Sequence, residues 1–167
     1  MTDGGKMKIM GIDPGVHKIA LAVVNSDKGL IYNTIIDSGK VDYGKRLSII
    51  YRGLIDEIKR HNVSVVAVER PMFMAYRSKS IRELYMVEGA VAMAAYECMI
   101  DCQHYVTGEW RKEVFGTSRK KPDENWKKKA VETCEFWCGE KLTHDEAEAY
   151  LMALCCLKQY NKALENE

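Results

Sequence analysis

Lys8-Ile9-Met10-Gly11-Ile12-Asp13-Pro14-Gly15 is a short apolar run that ends on an acid and then turns. Asp-Pro-Gly has strong turn character, so the run reads as a β-strand from Lys8 to Asp13 with a carboxylate at its carboxyl end. Two more strand candidates follow, His17 to Asn25 and Leu30 to Ser38, rich in Ile, Val, Leu or Ala and separated by Ser26-Asp27-Lys28-Gly29. Short connections favour antiparallel neighbours, so the three predict a meander. The period then changes. Leu47, Ile50, Tyr51, Leu54 and Ile58 recur at helical spacing, which predicts an amphipathic helix from Tyr43 to His61.

Val63 to Glu69 is nearly continuous in apolar residues and again closes on a single carboxylate, the pattern of a buried central strand. A long helix is expected from Ser80 to Ile100. Ile81, Leu84, Val87, Val91 and Ala95 lie on one side of it, and Met86, Ala90 and Met93 on another. The small residues Gly89, Ala90, Ala94 and Ala95 would let a further helix approach closely, one from a second subunit included. A fifth strand is expected at Gln103 to Thr107 and a short helix near Glu109 to Phe115. A loop from Gly116 to Asp123 precedes a helix through Trp137. Thr143 and Glu146 form a Ser/Thr-x-x-Glu capping box, so the final helix should start at His144 and run to about Lys162. This order predicts an α/β fold, a five-stranded mixed sheet whose first three strands are antiparallel, flanked by helices on both faces.

A chain of 167 residues suits one domain, 1–167, with Met1 to Lys6 as a flexible polar lead. With 47% hydrophobic and 29% charged residues, neither a disordered nor a membrane class fits, and the polar start lacks an apolar signal core. A cytoplasmic protein is expected. The net charge of +1 lends no global support to nucleic-acid binding, but Arg119, Lys120, Lys121, Lys127, Lys128 and Lys129 form a local basic cluster around Trp126. Cys98 and Cys102 repeat the spacing of Cys134 and Cys138, a wider step than structural zinc pairs use, so free thiols are expected.

Four carboxylates are placed to meet. Asp13 and Glu69 end two strands that should be parallel neighbours, whose carboxyl ends are the usual site in such sheets. Asp145 and Glu148 are three apart and share a helix face, with Asp145 against the positive end of the helix. Acids converging in this way repel unless divalent cations neutralise them. Magnesium prefers oxygen ligands, and two ions about 4 Å apart can stabilise the attacking and leaving oxygens of phosphodiester hydrolysis. Each acid also has a plainer explanation: Asp13 as a turn residue, Glu69 as a partner of Arg70 or Arg77, Asp145 as a first-turn acid, and Glu148 as an exposed one.

Met10-Gly11-Ile12-Asp13-Pro14-Gly15 resembles the opening signature of the RuvC Holliday junction resolvases, members of the ribonuclease H-like superfamily. Val66-Ala67-Val68-Glu69, Phe73-Met74-Ala75, Gly89-Ala90-Val91-Ala92 and Asp145-Glu146-Ala147-Glu148-Ala149 resemble later motifs of the same family, in the same order. The resemblance implies a ribonuclease H-like fold. It also implies a crossover junction endodeoxyribonuclease that nicks four-way DNA symmetrically as a homodimer, using two Mg2+ ions per site, with Mn2+ as a substitute. Asp13, Glu69, Asp145 and Glu148 would be the catalytic and metal-binding residues, and Phe73, Arg77, Arg111, Lys120 and Lys127 would contact DNA. Glu148 stands where the family has Asp, and one extra residue separates Glu69 from Phe73. A ribonuclease H-like nuclease for other branched DNA or RNA–DNA hybrids, or a non-catalytic nucleic-acid-binding module, remains as an alternative.

Overall fold

The computed structural model describes residues 7–27, 29–72, 78–119 and 124–166. The expectations placed on residues 1–6, Phe73, Arg77 and Lys120 lie outside the described residues. The elements run β1 (Lys8–Asp13), β2 (Lys18–Asn25), β3 (Leu30–Asp37), α1 (Tyr43–His61), β4 (Val65–Glu69), α2 (Ser78–Glu97), β5 (Asp101–Tyr105), α3 (Thr107–Phe115), α4 (Trp126–Cys138) and α5 (His144–Glu165). They build a five-stranded sheet of order β3-β2-β1-β4-β5. Strands β1, β2 and β3 are antiparallel, while β4 runs parallel to both β1 and β5.

The sheet's two faces differ in side-chain size. Met10, Ile12, Ile19, Leu21, Val23, Val66 and Val68 fill one face and pack against Ile50, Leu54 and Ile58 of α1 and Val87, Val91, Ala94 and Ala95 of α2. The other face carries Ala20, Ala22 and Ala67 and receives α5, with α3 and α4 behind it. Small side chains let a helix lie close. A Cβ at Gly11 would overlap the carbonyl oxygen of Ala149 and the amide nitrogen of Ala153, so the backbone of α5 rests directly on β1. From Ala149 to Leu157 every residue of α5 is buried, as expected of a helix with protein on all sides.

Three expectations need correction. Strand β5 is Asp101–Tyr105, two residues earlier than Gln103 to Thr107, and the helix before it ends at Glu97 rather than Ile100. Met99 adopts a left-handed backbone (φ 56°) and closes the turn sooner than the apolar pattern suggested. Thr107 thereby becomes the first residue of α3. The small residues Ala94 and Ala95 do not await a second subunit, for they are fully buried in the core that α2 shares with α1.

Candidate active site

Asp13 and Glu69 are brought side by side by strand register. Ile9 pairs with Val65 and Ile12 with Val68, so Asp13 and Glu69 each stand one residue beyond the last parallel pair. Neighbouring strands are about 4.8 Å apart. Side chains alternate along a strand, and Asp13 lies opposite Ala20 while Glu69 lies opposite Tyr105, both on the α5 face. The first turns of α5 complete the group. Thr143 caps that helix: its hydroxyl accepts from Glu146 N, and the Glu146 carboxylate accepts from Thr143 N at 3.1 Å. Asn33 on β3 donates to Glu146 at 2.7 Å, and these hydrogen bonds lower the Glu146 pKa despite burial. The box thus fixes the end of α5 that carries Asp145 and Glu148.

Electrostatics show the four acids acting on one another. The Asp13 carboxyl is pushed well above its ordinary pKa, first by burial and then by the charges of Glu148, Glu69 and Asp145, with Lys127 opposing. Glu148 is also raised, by burial first and then by Glu69, against Arg111, His144 and Lys127. Side-chain partners hold the carboxylates apart. Glu69 accepts from the Thr107 hydroxyl and from Trp110 Nε1 at 3.4 Å. Asp145 pairs with His144 Nε2 at 2.6 Å and Lys18 Nζ at 3.3 Å, and Glu148 with Arg111 Nη2 at 3.5 Å. Among the described residues, no three acidic, histidine or cysteine side chains are gathered tightly enough to hold an ion as they stand. The donor set is all oxygen, and Asp13 is half-buried among like charges. Both features suit a hard divalent cation.

Of the residues expected to touch DNA, Lys127 lies beside the acids, its Nζ 3.3 Å from His144 Nε2. Arg111 is drawn inward. Its guanidinium lies 5.2 Å from the Trp110 ring centre and 5.0 Å from that of Trp126, its side chain is 23% exposed, and Nε is buried without a hydrogen-bond partner. Sequence reading missed Thr107, Trp110, Lys18 and the buried Glu88 of α2. Glu88 alone left a signal, a charge set between Leu84 and Val91 on the apolar stripe. Arg70 pairs with Glu88 at 3.4 Å, on the opposite face of the sheet from the acids.

The family model described as "Crossover junction endodeoxyribonuclease RuvC" matches residues 9–132. The chain belongs to the RuvC family. A RuvC of Caldanaerobacter subterraneus subsp. tengcongensis is 30% identical over 117 residues, covering 68% of this chain and 70% of that protein. Thermus thermophilus RuvC superposes with a TM-score of 0.75 at 19% identity, covering 93% of this chain and 97% of that one. The same protein solved with a Holliday junction substrate gives 0.77 at 20% identity, covering 93% and 96%. The fold is therefore that of RuvC, the ribonuclease H-like sheet with helices on both faces. The RuvC model stops short of α5, so the placing of Asp145 and Glu148 rests on the geometry above.

Proposed function

We propose that this protein is a Holliday junction resolvase, a homodimeric endonuclease that nicks four-way DNA symmetrically by metal-dependent phosphodiester hydrolysis. The observation that carries the reading is Asp13: a half-buried acid at the carboxyl end of β1, beside Glu69 by strand register, its pKa raised first by desolvation and then by the charges of Glu148, Glu69 and Asp145. Such a cluster is costly to keep charged and gains most from divalent cations. Asp13, Glu69, Asp145 and Glu148 would hold two Mg2+ ions, with Mn2+ able to substitute. The ions supply Lewis-acid polarisation of the phosphate and stabilise the attacking and leaving oxygens.

The chain's own residues do the rest. Thr107 and Trp110 fix the Glu69 carboxylate, Arg111 fixes Glu148, and Gly11 lets α5 come close enough to bring its acids to Asp13. Lys127, with Lys128 and the basic residues before them, offers positive charge to the DNA backbone, and phosphate contacts of this kind set register and orientation. The sheet and its helices act as one nuclease domain. No helix among the described residues is long and apolar enough to cross a membrane. Action on DNA would place the protein in the cytoplasm.

The test is a magnesium titration of cleavage on a synthetic four-way junction with both cut positions mapped. Paired cuts at symmetric positions, dependent on magnesium or manganese and absent from linear duplex, are expected. Equal cleavage of flaps or RNA–DNA hybrids would move the substrate assignment elsewhere, and no cleavage of any of these would remove the enzyme reading.

A further inference from the structure

Glu88 is 7% exposed and sits on the side of α2 turned toward the sheet. A carboxylate in such a place is costly unless paired. His104 Nδ1, on β5, is 2.6 Å from Glu88 Oε1, and Arg70 Nε donates to the same oxygen at 3.4 Å. Arg70 is also fixed through its backbone, since its amide donates to the Tyr105 carbonyl at 2.7 Å. Arg70 is thus tied to β5 at one end and to α2 at the other. It nevertheless remains 53% exposed in its side chain. It follows Glu69 directly, and the two line one groove floored by Pro14, Pro71, Met72 and Ile81.

Among the described residues, the other cations beside the acids are engaged with the acid side of the sheet. Lys18 pairs with Asp145, Arg111 with Glu148, and Lys127 lies against His144. Arg70 differs because its brace comes from the opposite face, which leaves the charge at the groove beside Glu69. A guanidinium held through Nε keeps its other N–H donors in a fixed fork, the geometry that suits a phosphate.

We propose that Arg70 contacts a backbone phosphate of the DNA strand that enters the groove beside Glu69, and that Glu88, itself anchored by His104, is the residue that positions Arg70. The inference rests on the nuclease reading above and adds a substrate contact to it. Bare electrostatics and positioning give opposite signs for one substitution. Removing the Glu88 charge makes the region more positive, which alone would tighten DNA binding; loss of the brace would weaken it.

The experiment measures binding of a synthetic four-way junction to the full chain without metal, across a range of salt, for wild type, Arg70→Ala, Arg70→Lys, Glu88→Gln and the Arg70→Ala/Glu88→Gln double variant. Arg70→Ala should weaken binding about 10-fold at low salt and reduce the salt slope by about 0.9, the share of one phosphate contact. Arg70→Lys should keep the slope and recover part of the affinity. Glu88→Gln should bind several-fold more weakly than wild type, and should add nothing once Arg70 is absent. Thermal melts identify a variant that has simply unfolded, and Arg70→Ala, at a half-exposed position, should melt with wild type. An unchanged affinity and slope in Arg70→Ala overturns the phosphate contact. Tighter binding by Glu88→Gln, or a Glu88→Gln effect that persists without Arg70, overturns the positioning role. Cleavage by wild type in magnesium is scored separately: its absence counts against the nuclease reading, whereas the Arg70 contact is judged on binding alone.

Discussion

Asp13 carries two predictions of opposite sign. Its folded-state pKa is raised, first by burial and then by Glu148, Glu69 and Asp145. A carboxyl raised in this way favours the folded state while protonated; that contribution is full below the unfolded-state pKa and is lost as pH rises through the folded-state one. At neutral pH the ionised group therefore opposes folding in the metal-free protein. Asp13→Asn imitates the protonated acid, so the metal-free variant should melt above wild type at pH 7, by about 3 °C for each kcal/mol in a chain of this size. The gap should close as pH falls through the raised Asp13 pKa. A variant that melts below wild type at pH 7 would show the cluster to be weaker than described. The same substitution should lower cleavage about 10³-fold or more, since several kcal/mol of transition-state stabilisation depend on the bound charge, while junction binding persists. Asp13 and Glu69 were legible in the sequence because each acid closes an apolar strand. Thr107 and Trp110 were not, and Arg111 was expected at DNA rather than against Glu148, because only the fold brings α3 beneath Glu69 and Glu148, and the two-residue offset of β5 hid Thr107 as the start of that helix.

The contact between β1 and α5 is where an element decides the chemistry. Gly11 allows the backbone of α5 to touch the strand, two residues before Asp13 on the same face. Gly11→Ala would force the helix outward, costing about 1 to 3 kcal/mol as an overpacked core and more if the backbone cannot yield. Cleavage should fall further than stability, because the displaced helix carries Asp145 and Glu148. The comparison to make is residual cleavage against the fraction folded at one temperature; a proportional loss of both would mean that helix placement is not the sensitive quantity. The capping box gives a milder version. Thr143→Ala removes the hydroxyl that accepts from Glu146 N and should cost about 1 kcal/mol by denaturant melting, with α5 still in place. The box was legible as a four-residue pattern, and so was the start of α5 at His144. The burial of α5 on all sides could have been read from Ala149-Tyr150-Leu151-Met152-Ala153-Leu154-Cys155-Cys156-Leu157, which has no polar face. The depth of its contact with the sheet could not, because it depends on Ala20, Ala22 and Ala67 from other strands lying flush with Gly11.

At the scale of the whole molecule, the proposed homodimer needs two sites related by a two-fold axis, and α2 carries an exposed apolar row that would serve as its contact. Met86, Met93 and Tyr96 stand 54%, 64% and 85% exposed along α2, Met93 about two turns after Met86 and Tyr96 one turn further, away from the core the helix shares with α1 and the sheet. Gly89 lies among them, and a Cβ there would meet nothing within 4 Å, so the stripe has a notch that a side chain from another helix can enter. Exposed apolar rows of this kind mark contact surfaces. In an isologous dimer each residue of the patch is used twice, so one substitution acts on both sides of the axis. Met93→Glu should therefore shift the protein from a dimer toward the 19.1 kDa monomer, weakening association about 10-fold or more, with little change in the melting of the monomer because position 93 lies outside the core. Light scattering across a concentration series reads the first effect. A circular DNA carrying an extruded cruciform reads its consequence: two coordinated cuts release a linear product, whereas a lone subunit leaves a nicked circle. Met93→Glu should raise the nicked fraction at the expense of the linear one. A variant that stays dimeric and still releases linear DNA would place the two-fold axis on another surface and leave the α2 stripe without a role in pairing the cuts.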